Sequence, residues 1–184
     1  MKKLMILALA VLALVSCNQN GKKENAEQQK HSAVAYFSAT GTTQAVAELL
    51  AQAADADLIA IEPEEAYTDA DLDWHDSLSR SSVEMRDPEA RPVMKAIEAD
   101  FTPYDTIYLG FPIWWGVAPR IINTFIETAN LQGKVIRTFA TSGTSDIDGA
   151  AEALALAYPE LQWETSRLLN DTNFEELCDW AQGK

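Results

Sequence analysis

Residues Ala33 to Thr43 read AVAYFSATGTT. Ala33–Phe37 is an apolar run with β-branched and aromatic members, the composition of a buried strand. Ser38, Ala39, Thr40, Gly41, Thr42 and Thr43 follow, all but Ala39 being Ser, Thr or Gly. Val46, Leu49, Leu50 and Ala53 then recur at i, i+3, i+4 and i+7, so a helix follows. A strand, a hydroxyl-rich turn and a helix start turn free backbone N–H groups toward an anion. Gly41 permits a tight turn. No Lys or Arg lies in the loop, and G-x-x-x-x-G-K-[ST] is absent, which argues against a triphosphate. G-x-G-x-x-G is absent too, so a dinucleotide fingerprint is unsupported. A monoester phosphate fits; a ligand-free Ser/Thr helix cap has the same local sequence.

Outward from this stretch, strands and helices alternate. Leu58–Ile61 reads as a second strand, stopped by Pro63. Glu64 to Arg86 is polar and weakly periodic and reads as an irregular excursion. A helix is expected from Pro88 or Pro92, with Val93 and Ile97 facing inward. Thr106–Phe111 is a third strand, apolar enough for a buried parallel position. Pro119 opens a helix striped by Ile121, Ile122, Phe125 and Ile126. Val135–Thr141 is a fourth strand, Ala150–Ala157 a helix, and Arg167–Leu169 the last strand. Thr172-x-x-Glu175 reads as a capping box before a final helix with Phe174, Leu177, Cys178 and Ala181 inward. Five strand–helix units mean a doubly wound α/β sandwich, with helices on both faces of a parallel sheet. Its ligands bind beyond the carboxyl ends of the strands.

The loops after strands one, three and four are the unusual ones. Gly110–Pro119 reads GFPIWWGVAP. Two tryptophans directly after a buried strand cannot both enter the core, so at least one indole reaches the surface. Beside a phosphate site it is a platform for a flat heterocycle; otherwise it is an aromatic partner surface. Thr141–Gly149 reads TSGTSDIDG and offers amides and hydroxyls.

SATGTT, GFPIWWGVAP and TSGTSDIDG together resemble the bacterial flavodoxin-like family, from Ala33 to the C-terminus. The resemblance implies a three-layer sandwich whose five-stranded parallel sheet runs 2-1-3-4-5, the flavodoxin order that the general rule takes as its example. It implies FMN as cofactor. Residues 38–43 would hold the phosphate. Pro112, Ile113, Trp114, Trp115 and Gly116 would form the ring loop, with Trp115 or Trp114 stacking on the isoalloxazine and the Gly116 carbonyl able to turn toward N5. Ser142, Gly143 and Thr144 would line the pyrimidine edge. Many flavodoxins place a Tyr in the last of these loops; residues 141–149 contain no aromatic, and Trp74 is a candidate for that ring face. The implied function is an FMN-binding electron carrier. An open ring face suits, alternatively, an FMN-dependent oxidoreductase reducing a quinone or similar small acceptor. A flavin-free binding module on the same fold is a third class.

The N-terminus reads as an address. Lys2 and Lys3 precede an apolar run, Leu4–Val15, too short to span a bilayer. Leu14-Val15-Ser16-Cys17 resembles a lipoprotein box, with 1–16 as signal peptide and Cys17 as the lipidated residue. Residues 17–32 are polar and read as a tether, leaving 33–184, roughly 150 residues, as one domain. The protein is then expected to be exported and lipid-anchored at the cell envelope, bound to the membrane through Cys17. With 28 acids against 14 bases, nucleic acid is an unlikely partner; redox proteins are the expected ones, and the acidity suits either a basic face on them or solubility alone.

Other motifs carry less. With Cys17 lipidated, Cys178 has no disulfide partner and is expected buried and inert. Asp69-x-Asp71-x-Asp73 lacks the Gly and Glu of a calcium loop. His75 beside Asp73 and Asp76 has no second His nearby and reads as solvated loop. Arg80, Arg86 and Arg91 either touch substrate or cofactor or offset local acids.

Overall fold

A computed structural model describes residues 31–183. The expected signal segment, Cys17 and residues 18–30 of the tether lie outside the described residues. Strands and helices alternate as β1 (His31–Tyr36), α1 (Thr42–Ala54), β2 (Asp57–Ala60), α2 (Arg80–Arg86), β3 (Tyr104–Pro112), α3 (Arg120–Thr128), β4 (Val135–Thr141), α4 (Asp148–Ala157), β5 (Gln162–Leu168) and α5 (Phe174–Ala181). The strands form one parallel sheet in the order β2-β1-β3-β4-β5. This is the expected flavodoxin-like order.

Alternation along the central strands builds two cores. Ala33, Ala35 and Phe37 face one side with Ile107, Leu109 and Phe111, and α3 and α4 cover it through Ile121, Ile122, Phe125 and Leu154. Val34, Tyr36, Tyr108 and Phe139 face the other, under Val46 and Leu50 of α1 and Leu177 and Trp180 of α5. Gly110 sits where a Cβ would meet the Phe139 ring at 2.1 Å, so the absence of a side chain admits that ring.

Four local expectations change. No helix starts at Pro88 or Pro92; the short helix α2 lies earlier, inside the excursion. Each proline disfavours α conformation in the residue before it. The segment instead runs back along residues 62–64: the Glu64 N–H donates to the Val93 carbonyl at 2.9 Å and the Lys95 N–H to the Glu62 carbonyl at 2.8 Å. Val93 is therefore exposed, while Ile97 packs against the core as expected. At α5 the cap is Asn173, one residue later than Thr172, and its side chain accepts from the Glu175 N–H at 3.0 Å. Trp180 is buried beside Leu177 on the inward face, while Phe174 is exposed and Cys178 only partly buried. Finally, β1 begins at His31, within the stretch read as tether, and β5 at Gln162 rather than Arg167.

At the amino edge of the sheet the buried Tyr104 donates its hydroxyl to Asp57 Oδ2 at 2.8 Å. Burial, then the bond to Asp57, pushes this phenol up to about 12. The unfolded phenol ionises first, so this contribution is intact below pH 10 and is lost as pH rises toward about 12. Tyr36, Tyr67 and Tyr158 shift the same way. Urea unfolding across that window is expected to show falling stability, with a shallower descent in Tyr104→Phe.

Candidate functional site

The three loops converge at the carboxyl edge of the sheet around a cleft of about 610 Å³. Gly41 caps α1 with φ +87°, and nothing lies within 4 Å of where its Cβ would be. The demand at Gly41 is therefore conformational rather than spatial. Its N–H donates to Ser38 Oγ at 3.1 Å, and its carbonyl accepts the first helical bond from the Ala45 N–H. No side chain caps α1, so the N–H groups of its first turn are left for water or a ligand. The Thr43 hydroxyl does not join them. It is buried and shares a 2.8 Å hydrogen bond with Thr141 Oγ1 at the end of β4.

Trp114 and Val117 pair through both backbone bonds, at 3.0 and 3.1 Å, closing a two-residue turn. Its central residues have φ +49° at Trp115 and +80° at Gly116, the signature of a type I′ turn. A bulky residue at positive φ is strained. What holds the turn is Trp114. Its ring meets Phe37 at 5.6 Å and Tyr67 at 5.4 Å, both edge-to-face, and Phe37 meets Tyr67 at 5.9 Å. Tyr67 is anchored in turn. It donates its hydroxyl to Glu84, Arg80 lies 4.0 Å over its ring, and Arg80 Nε bonds Glu84 at 2.7 Å. Burial first, then the Glu84 bond, holds the Tyr67 hydroxyl far above the ordinary phenol range. With Trp114 directed inward, Trp115 is left 53 % exposed. The choice between the two indoles as surface platform falls on Trp115.

The third loop is set by a residue that sequence reasoning passed over. Asn170, just after β5, accepts from the Ser142 N–H at 2.8 Å and donates to the Ser142 carbonyl at 2.7 Å. Ser142 Oγ accepts from the N–H groups of Thr144 and Ser145. Both groups of the Ser142 backbone and its hydroxyl thus shape the loop. Among the described residues, the Gly143 N–H takes no protein acceptor and is free for a ligand.

Of the expected residues, Ser38, Ala39, Thr40, Thr43, Pro112, Ile113, Trp114, Trp115, Ser142, Gly143 and Thr144 line the cleft. Gly41, Thr42 and Gly116 shape its turns without forming its wall. Trp74, 66 % exposed, lines it too, joined by Leu72, Ser81 and Ser145. Leu72 and Ser81 come from the irregular excursion, where no periodicity pointed to them. No Lys or Arg lines the cleft. Among the described residues no group of three His, Cys, Asp or Glu could hold a metal, and no helix is long and apolar enough to cross a membrane.

The flavodoxin family model matches residues 31–184, and the chain belongs to that family. It is similar to crystal structures of two candidate flavoproteins. The one from Bacteroides eggerthii DSM 20697 is 50 % identical, with TM-score 0.81, over 83 % of this chain and 96 % of that one. The one from Bacteroides uniformis ATCC 8492 is also 50 % identical, with TM-score 0.80, over 83 % and 98 %. A flavoprotein from Lactobacillus acidophilus NCFM, solved in complex with FMN, shares the fold at 20 % identity and TM-score 0.64, over 76 % and 93 %. No curated protein matches.

Thr43→Val leaves the buried Thr141 hydroxyl without its partner and is expected to cost about 1–3 kcal/mol in urea unfolding. The double variant Thr43→Val/Thr141→Val is expected to cost less than the two single changes summed.

Proposed function

We propose that this chain binds FMN in the cleft and carries electrons between protein partners. The observation that carries the reading is Trp115. It is a half-exposed indole held in a strained turn, lining the same cleft as Ser38, Ala39, Thr40 and Thr43 around the uncapped start of α1. The fold neighbour solved with FMN supports the same cofactor.

The residues present fit that group. The first-turn N–H groups of α1 and the hydroxyls of Ser38 and Thr40 suit a phosphate dianion in a loop with no cation. Trp115 offers a flat face for the ring system, and Gly143 an amide for its polar edge. Gly116, at φ +80° with nothing within 4 Å of its missing Cβ, places its carbonyl in the peptide whose Val117 N–H bonds the Trp114 carbonyl, so turning that carbonyl toward the ring exchanges one turn bond for one to the flavin. FMN, when bound, supplies the one- and two-electron chemistry; the protein binds, orients and tunes it. An acidic chain of net charge −14 disfavours added negative charge at the cleft and favours partners with a basic face. The lipoprotein reading adds a place: tethering through Cys17 at the cell envelope.

Adding FMN to the flavin-free protein is expected to quench tryptophan fluorescence and shift the visible flavin spectrum. Trp115→Ala should weaken binding by about 10–100-fold, on the scale of losing one stacked indole. Reductive titration of the loaded protein should proceed in two one-electron stages; a single two-electron transition overturns the one-electron carrier. For the tether, Cys17→Ser should move the full-length protein from the membrane fraction to the soluble fraction. An unchanged distribution overturns lipidation at that residue.

A further inference from the structure

A smaller cavity of about 240 Å³ adjoins the cleft and has no part in the reading above. Trp74 and Trp115 line both spaces, so the two meet at this pair of indoles. The rest of its wall is mixed: Met85 is apolar, while His75, Ser77, Ser82 and Arg86 are polar. Three large apolar side chains beside placed polar groups are the elements of a small-molecule site. At about 240 Å³ it lies below the roughly 300–1,000 Å³ of sites for drug-sized ligands, which suits a single ring.

Arg86 decides the ligand's chemistry. Arg80 pairs with Glu84, Arg91 with Glu127 and Arg137 with Glu164, each at 2.9 Å or less. Arg86, like Arg120 and Arg167, has no carboxylate partner among the described residues, and of these three it is the one that lines this cavity. Its Nη2 donates to the Ser77 carbonyl at 2.7 Å, which pins the guanidinium beside the cavity and leaves its other N–H donors open. A planar, forked donor set matches a carboxylate. The indoles match an aromatic ring. Trp74 is itself braced, with the His75 ring 3.5 Å from it, centroid to centroid, and tilted by 34°.

We propose that this cavity binds a small planar aromatic carboxylate, with its ring against Trp74 and Trp115 and its oxygens on Arg86. The consequence rests on the FMN reading. A molecule held there lies beside the flavin cleft, so the chain takes a small-molecule ligand next to its cofactor in addition to protein partners. The binding itself stands apart from that reading.

The test titrates benzoate, and neutral benzamide as its isostere, into FMN-loaded protein, followed by tryptophan fluorescence and the flavin spectrum. Benzoate is expected to bind saturably and about tenfold or more tightly than benzamide. Arg86→Met should weaken benzoate by a similar factor and erase the preference, with FMN affinity unchanged; Arg86→Lys should fall between. Benzoate binding that is absent, indifferent to Arg86→Met, or displaced by FMN overturns the proposal. If Arg86→Met lowers the thermal midpoint, the comparison of Arg86→Lys with wild type decides. If FMN does not bind, the flavin reading falls alone, and the same titration in flavin-free protein decides the subsite.

Discussion

The site depends on the packing of three rings: Phe37 at the end of the first strand, Tyr67 in the excursion and Trp114 after the third strand. Each edge-to-face pair contributes about 0.5–1.5 kcal/mol beyond its buried area. A bulky residue in the left-handed region costs on the order of 1–3 kcal/mol. The two contacts that Trp114 makes are together of the same size as that strain at Trp115. The cluster therefore does two things at once. It draws one tryptophan partly into the core, and through a two-residue turn it obliges the next to face out. It also ties the excursion to the sheet, because Tyr67 is held by Glu84 and Arg80.

A second constraint gathers the loops. Thr141 closes β4, and both its ends are used. Its hydroxyl bonds Thr43 at the start of α1, and its carbonyl accepts from the Ile113 N–H at 2.9 Å. One residue on, Ser142 is gripped by Asn170 from beyond β5. The three loops are thus fastened to one another through a single strand end. The cleft is preorganised by the protein's own bonds, and the donors left over at α1 and Gly143 are those available to a ligand.

Charge is distributed with the same logic. In an acidic chain most arginines near the excursion brace structure: Arg80 holds Tyr67 and Glu84, and Arg91 ties the 87–103 segment to α3 through Glu127. Arg86 stands apart because its surroundings are a carbonyl, two indoles and open space. Three arginines that look alike in a charged stretch thus separate into two structural ones and one facing a cavity.

Local chemistry determined much of this protein. Apolar runs between turn residues mark the first four strands, while the polar β5 shows little of itself in the sequence, and the Ser/Thr/Gly turn before the helix starting at Thr42 marks an anion-ready helix start, because strand burial and helix periodicity are written in neighbouring residues. The WWG triplet marks a surface indole for the same reason: adjacent side chains cannot share one direction. Only the tertiary structure decided which indole faces out, since that depends on Phe37 and Tyr67, far away in the chain. Only it showed that the Thr43 hydroxyl is bound to Thr141, that Asn170 sets the third loop, and that Leu72, Trp74 and Ser81 reach the cleft. The absent helix after Pro88 is the same lesson reversed. A proline at a first helical turn is locally permissible, but backbone bonds to residues 62–64 gave that segment an extended partner. Propensity speaks for a residue and its neighbours; the direction of a side chain and the partner of a backbone group are settled by whatever the rest of the chain brings alongside.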